Sequence, residues 1–282
     1  MRVTIRNLQE MKDRGEKIAM LTAYDYPTAR LLDEAGIPII LVGDSVGDNV
    51  LGYRNTVPVT MDEMVHHLRA VVRGTKQTHI VCDLPFMSYH ADVSEAIRNA
   101  GRILKEGGAQ SVKLEGGQEM AETVNRIVKS GIPVMGHVGL TPQSVHQLGG
   151  YRVQGKSIKD AIRLMEDTRA LEEAGAYAVV LECVPAALSQ MITDRLSIPT
   201  IGIGAGVGCD GQVQVFHDFL GLFTDFLPKH ARRYANLAET IQDATAQYIS
   251  DVHQGEFPTA KESYKMSQSV LDQLAGEVFK SA

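Results

Sequence analysis

Two apolar runs in this chain end in aspartate. Ile39-Ile40-Leu41-Val42-Gly43 leads into Asp44-Ser45, and Ile80-Val81-Cys82 leads into Asp83. A short apolar run closed by Gly and Asp reads as a strand buried on both faces, followed by a tight loop. A carboxylate at that point stands at the mouth of a barrel or the crest of an α/β sheet, where such folds bind ligands. Taken singly, each Asp reads equally well as a helix N-cap or a turn former. The pattern recurs, however, in Val112-Lys113-Leu114-Glu115, in Gly136-His137 and in Val180-Leu181-Glu182. Five consecutive strands therefore carry an ionisable group at the C-terminal end. Burying charge is costly and solubility does not require it, so the joint pattern points to an active site.

Each residue type has a distinct job to offer. Asp44, Asp83 and Glu115 are hard oxygen ligands suited to Mg²⁺, directly or through water. Lys113 and Ser45 can hold the carboxylate of an anionic substrate. Lys113 and Glu115 are two apart and share a face, while Leu114 points the other way. Glu182, flanked by Leu181, Cys183 and Val184, is expected to be a partly desolvated general base, with His137 as its competitor. A metal, a cation and a separate base suit proton abstraction next to a carbonyl, the enolate being held by the metal. Gly202-x-Gly204-x-Gly206 offers another reading, a phosphate cradle in a non-catalytic barrel. The same glycines could simply make the turn.

The elements that must position these groups follow from periodicity. Residues 4–15 read as an amphipathic helix of the kind that plugs a barrel bottom. Strands are expected at 18–23, 39–43, 79–83, 111–115, 133–137, 178–182, 200–204 and 213–216. Helices are expected at 27–35, from Thr60 with a Glu63 capping box, from a Ser94 cap to Gly107-Gly108, up to Ser130-Gly131, at 158–173, from Pro185 as first helical residue to Leu196, and at 231–253 and 268–279. This alternation every ~30 residues is the βαβ spacing. It predicts a (β/α)₈ TIM barrel, with an open doubly wound sheet as the alternative. A barrel of ~250 residues would use nearly all of the 282 present, so 1–282 reads as a single domain with an N-terminal helix and a C-terminal helical tail.

Composition narrows the function classes. The net charge is −6 and no basic run is interleaved with aromatics, which argues against nucleic acid as a partner. No apolar run approaches the ~20 residues of a membrane span, and the N-terminus is polar at once, so a cytoplasmic protein is expected. Cys82, Cys183 and Cys209 lie far apart, unlike a disulfide framework or a zinc site. Cys82 and Cys183 each sit beside a strand-end carboxylate, and both are expected to face the helix layer.

The chain resembles the ketopantoate hydroxymethyltransferase (3-methyl-2-oxobutanoate hydroxymethyltransferase) family. The resemblance is carried by Met20-Leu21-Thr22-Ala23-Tyr24-Asp25, Val42-Gly43-Asp44-Ser45, Asp83-Leu84-Pro85-Phe86-Met87, Val112-Lys113-Leu114-Glu115-Gly116-Gly117, Gly136-His137-Val138-Gly139-Leu140-Thr141-Pro142-Gln143 and Leu181-Glu182-Cys183-Val184-Pro185. Order and spacing match from about residue 3 to 230. Val46 and Asp48 depart from the pattern. The resemblance implies a barrel of the phosphoenolpyruvate/pyruvate-like group and a step in pantothenate biosynthesis. It implies Mg²⁺ on Asp44 and Asp83, with Glu115 in the metal shell. The keto acid 3-methyl-2-oxobutanoate would be bound by Asp44, Ser45, Asp83, Lys113 and His137. Glu182 would take the C3 proton, and the enolate would attack the one-carbon unit of 5,10-methylenetetrahydrofolate to give 2-dehydropantoate. A homodecamer is implied as well. Another Mg²⁺ enzyme of the same barrel group, a 2-oxo-acid lyase or phosphonomutase, is the rival, and a lyase would be expected to carry a reactive cysteine in a mobile loop.

Overall fold

All the apolar runs that end in ionisable groups are parallel strands of one closed barrel. Among the residues described by the structure, a computed structural model covering 2–278, eight strands follow one another around it in sequence order. They are β1 (Ile18–Thr22), β2 (Ile39–Val42), β3 (His79–Asp83), β4 (Ser111–Glu115), β5 (Val134–Gly139), β6 (Ala178–Glu182), β7 (Thr200–Ile203) and β8 (Gly211–Gln214). Because β8 pairs with β1, the sheet has no edge, and the open doubly wound alternative is excluded.

Helices α1 (Ile5–Asp13), α2 (Tyr26–Glu34), α3 (Val46–Asn49), α4 (Met61–Gly74), α5 (Val93–Arg102), α6 (Ala121–Lys129), α7 (Val145–Leu148), α8 (Ile158–Glu173), α9 (Ala186–Thr193) and α10 (Phe216–Phe219) accompany the strands. The chain divides into two compact units. The barrel unit ends at Ala235, and the second unit starts at Asn236 and holds α11 (Leu237–Gln254) and α12 (Gln268–Val278).

Several expected boundaries shift, four of them near the site or its supports. Strand β8 lies at 211–214 rather than 213–216, because pairing with Ile18–Leu21 of β1 fixes its register and Phe216 already opens α10. Helix α5 is capped by Asp92, not Ser94, since the Asp92 carboxylate accepts the N–H groups of Ser94 and Glu95. Pro185 is the N-cap of α9 rather than its first helical residue. Residues 231–236 precede α11 and are not helical. The capping box at Thr60 and Glu63 is present as expected.

Period-two alternation divides the apolar side chains into two cores. Ile40, Val42, Ile80, Cys82, Val112 and Leu114 turn outward and pack against the helix layer, where Leu68, Ile103 and Val124 are fully buried. Ile39, Leu41, Val81, Met135, Val180 and Ile201 turn inward and fill the barrel axis. Leu8 of α1 joins this inner cluster, with Val3 and Met11 packed beside it, so α1 does plug the barrel bottom.

One polar network lies in that floor. His79, at the start of β3, is 1% exposed. Its Nε2 is 2.8 Å from Ser111 Oγ, which is in turn 3.0 Å from the Tyr177 hydroxyl. Burial pushes its pKa down to about 4. The unfolded chain therefore takes up this proton first, so the stability contribution of neutral His79 is complete above about pH 6.5 and is lost as pH falls towards 4. We expect the unfolding free energy of the parent to fall more steeply across that window than that of His79→Asn, by up to about 1.4 kcal/mol per pH unit in denaturant titrations. Equal slopes would show that His79 protonates without opening the floor.

Candidate active site

Parallel pairing brings the strand-end groups into one layer. Asp83 pairs with Lys113, Glu115 with His137, and Gly139 with Glu182. Below this layer the same inward faces carry Val81, Met135 and Val180. The barrel interior is thus apolar at mid-height and ionisable at the C-terminal end, where barrels bind substrates. Asp44 follows β2 by one turn residue, and its backbone N–H donates to Asp83 Oδ2 at 3.0 Å.

From there a chain of contacts crosses the barrel. Lys113 Nζ lies 2.9 Å from Asp83 Oδ1 and 3.3 Å from His137 Nδ1. His137 Nδ1 is 3.5 Å from Glu115 Oε1, and its Nε2 is 3.2 Å from Glu182 Oε2. Asp44, Asp83, Lys113, Glu115 and His137 are all buried, whereas the Glu182 side chain is 15% exposed at the lip. Ser45 is half-buried, and its Oγ is 2.8 Å from the Tyr24 hydroxyl. All seven sequence-predicted site residues therefore line one cavity of about 790 Å³.

The electrostatics follow from burial. Desolvation raises the pKa of Asp44 well above the usual carboxylate range, and the charges of Asp83 and Glu115 push it further. Asp83 is raised by desolvation too, against the pull of Lys113. Desolvation would lower Lys113, but Asp83, Glu115 and Asp44 outweigh it and hold the ammonium charged. His137 is lowered by desolvation and by Lys113, yet Glu115 and Glu182 on its two sides raise it to about 9. An imidazolium has no lone pair with which to take a proton, so His137 is the poorer base of the two candidates.

The donor set fits a divalent cation. Four carboxylates, Asp44, Asp83, Glu115 and Glu182, face one lysine and one histidine, leaving two negative charges when all are ionised. Asp83 Oδ1 is buried and, although within ion-pair reach of Lys113, accepts no hydrogen bond. Among the described residues no three His, Cys, Asp or Glu side chains are gathered as a ready metal cage. Mg²⁺ commonly takes only one or two carboxylates and completes its octahedron with water and substrate, which suits the aspartate pair. Glu115 turns one oxygen to His137, and the other accepts the backbone N–H of Gln143 at 3.0 Å.

Gln143 is the site residue that the strand-end pattern does not reveal. It sits in a single 3₁₀ turn, Pro142–Ser144, after β5 and is 3% exposed. Its Nε2 donates to Asp44 Oδ2 at 2.8 Å and to the Leu84 carbonyl at 3.0 Å, while its Oε1 accepts the Tyr89 hydroxyl at 2.7 Å. The amide is therefore fixed in orientation, and it fixes Asp44.

Cys183 corrects an expectation. It does not face the helix layer as Cys82 does. The chain leaves β6 at Glu182, Cys183 takes φ +50°, and the thiol turns into the cavity, with Sγ 3.9 Å from His230 Nδ1. Burial and Glu182 push that thiol up to about 11, so it is not a ready nucleophile of the kind a lyase would need. The glycines after β7 have a packing reason. Gly204 (φ +65°) abuts the His230 ring, and a Cβ on Gly206 (φ +82°) would lie 2.4 Å from that of Ala186. Close approach and positive φ are sufficient reason for glycine at both positions.

Gln143→Leu should leave Asp44 Oδ2 and the Leu84 carbonyl short of a partner, while the Tyr89 hydroxyl keeps its bonds to the Glu115 backbone. At about 1–3 kcal/mol per unsatisfied buried group, calorimetry should show the midpoint lowered by roughly 5–10 °C. An unchanged midpoint would remove Gln143 from the network.

Comparison with known proteins gives the family. A sequence profile of ketopantoate hydroxymethyltransferase matches residues 2–260. The chain is 61% identical over 274 residues to a 3-methyl-2-oxobutanoate hydroxymethyltransferase of Dehalococcoides mccartyi, covering 97% of each. It is 58% identical over 273 residues to that of Carboxydothermus hydrogenoformans, covering 97% of this chain and 99% of the other. Among solved structures the fold is similar to a phosphonopyruvate hydrolase complexed with oxalate and Mg²⁺, with a TM-score of 0.61 at 12% identity over 100% of this chain and 98% of that one. It is also similar to 2,3-dimethylmalate lyase of the PEP mutase/isocitrate lyase superfamily, with a TM-score of 0.55 at 14% identity over 100% and 97%. These last two share the barrel with it. The profile match and these relatives place the chain in the ketopantoate hydroxymethyltransferase family, which makes it a transferase.

Proposed function

We propose that this chain transfers a hydroxymethyl group from 5,10-methylenetetrahydrofolate to 3-methyl-2-oxobutanoate, with water consumed and tetrahydrofolate and 2-dehydropantoate formed. The observation that carries this reading is the separation of roles across one cavity. Asp44, Asp83 and Lys113 form a linked cluster on one side, Glu182 stands at the lip, and His137 lies between them. Asp44 and Asp83 would hold Mg²⁺, with Glu115 behind them. The ion, when bound, supplies Lewis-acid polarisation of a 2-oxo acid's carbonyl.

The chain's own residues then divide the work. The charged Lys113 and the Ser45 hydroxyl, oriented by Tyr24, hold the substrate carboxylate. Glu182 removes the proton from C3; water releases the one-carbon unit from both folate nitrogens at the oxidation level of formaldehyde, leaving tetrahydrofolate, and the enolate carbon adds to that unit while the new alkoxide takes up the proton removed from C3. His137, charged between Glu115 and Glu182, lies within ion-pair reach of both and keeps the Glu182 carboxylate aimed. The apolar layer of Val81, Met135 and Val180 closes the floor beneath the reacting carbon and excludes water from below.

Two measurements test this reading. Saturating Mg²⁺, at about 100 times its dissociation constant, should stabilise the parent by about 2.7 kcal/mol in a thermal scan. Asp83→Asn should lose that shift along with activity, and a variant active in chelator-treated buffer would overturn the metal assignment. Glu182→Gln keeps size but cannot take the proton, and a positioned base is worth about 10²–10⁴-fold in rate. The variant should bind the keto acid yet lose exchange of its C3 hydrogen with deuterated water, even without folate. Exchange at the parent rate in Glu182→Gln, with exchange lost in His137→Gln, would move the base to His137.

A further inference from the structure

The proposed chemistry uses the cavity wall from β2 to β6. The wall around β8 and β1 is left over. There Asp218 stands in α10, after β8, and Asp48 in α3, after β2, on either side of the Thr22 end of β1. All three line the cavity.

Asp218 is 7% exposed, yet its carboxylate takes no hydrogen bond and enters no ion pair with any described residue. The nearby polar groups are spoken for. The Thr22 hydroxyl accepts the Phe216 N–H, and Arg233, which acts on Asp218 only at longer range, donates to the Phe223 carbonyl. Burial and Asp48 raise the Asp218 pKa to about 6, which leaves it mostly ionised at neutral pH. A mostly ionised carboxylate of low exposure that no described side chain partners, in the wall of a cavity, offers its two oxygens to a ligand with hydrogen-bond donors.

Only one of the two proposed substrates has donors to give. The keto acid presents a carboxylate, a carbonyl and an isopropyl group, which are acceptors and apolar surface. The pterin ring of the folate presents a 2-amino group beside a ring N3–H, two adjacent donors that match the two oxygens of one carboxylate. Its glutamyl end is anionic. At the mouth of the same cavity Arg54, Arg152 and Lys229 are exposed, and none of them pairs with a carboxylate of the described residues.

We propose that Asp218 is the anchor of the one-carbon donor, accepting the N3–H and 2-amino hydrogens of its pterin ring, with Arg54, Arg152 and Lys229 facing its anionic tail. This rests on the folate reading above and adds to it the wall on which the donor sits. The keto acid then lies on the β2–β6 side and the pterin on the β8–β1 side, with the one-carbon unit between them. Guanine carries the same amino-oxo edge, and a guanine nucleotide has an anionic end as well, so the two must be told apart by experiment.

The test is tetrahydrofolate binding and steady-state kinetics on the full chain and its Asp218→Asn variant. The dissociation constant of tetrahydrofolate and the KM for 5,10-methylenetetrahydrofolate should rise about 10- to 100-fold, the scale of lost charge-assisted hydrogen bonds. The KM for the keto acid should move by less than about twofold. The thermal midpoint should hold or rise, because the substitution removes an unpaired buried charge. Unchanged folate affinity with a lowered midpoint would make Asp218 a structural residue and overturn the anchor alone. A parent chain that transfers no one-carbon unit from 5,10-methylenetetrahydrofolate would overturn the folate reading, and the anchor with it. GTP binding that is lost in Asp218→Asn, with tetrahydrofolate binding retained, would assign the carboxylate to a guanine nucleotide instead.

Discussion

Four carboxylates share the C-terminal end of the barrel with one lysine and one histidine, and the protein supplies too little positive charge to balance them. Desolvation raises Asp44 and Asp83, and the excess of carboxylates pushes Asp44 further, keeps Lys113 charged and lifts His137 to about 9 against its own burial. Such an arrangement persists only if the scaffold beneath it is over-determined. Here it is. The strands are closed into a barrel, their lower inward faces are filled by Val81, Met135, Val180 and Ile201, and Leu8 of α1 seals the far end. The stability of the lower barrel therefore underwrites the strain of the upper one.

The polar supports are as specific as the charges. Gln143 ties Asp44, the Leu84 carbonyl and Tyr89 together, and the backbone N–H of the same residue reaches Glu115. One amide thereby couples the ends of β2, β3 and β4 from a turn after β5. Each bond of Gln143 restricts how these acids can reorient. Asp83 Oδ1 nevertheless accepts no hydrogen bond, and the Asp218 carboxylate in the same cavity takes none from any described residue.

Much of this was legible in the sequence because period two and strand termini are local signals. Asp44, Asp83, Lys113, Glu115, His137 and Glu182 each close an apolar run, so their convergence follows once the runs are parallel neighbours. What was not legible depends on tertiary contacts or on single dihedral angles. Gln143 is one polar residue in a loop of polar residues, and nothing local marks it as buried. Cys183 was placed by extending strand alternation one residue too far, and a left-handed φ reversed it. Strand β8 was displaced because its register is dictated by β1, nearly two hundred residues earlier, and not by its own apolar residues. Asp218 gives no strand-end signal because it follows β8 by way of a four-residue helix.

The fold by itself would not have separated this chain from its structural neighbours. A phosphonopyruvate hydrolase and a dimethylmalate lyase share the barrel at 12% and 14% identity, which carries architecture but not chemistry. The difference lies in what the strand ends and the loops beyond them present. A lyase reading needs a reactive thiol, and the thiol facing this cavity, Cys183, has been pushed up to about 11 beside His230. The glycines after β7 have a packing reason of their own, since a side chain on either would press on His230 or Ala186. Group transfer needs room for a second substrate beside the first. A cavity of about 790 Å³, with acids and a lysine on one wall and an unpartnered carboxylate on the other, provides it.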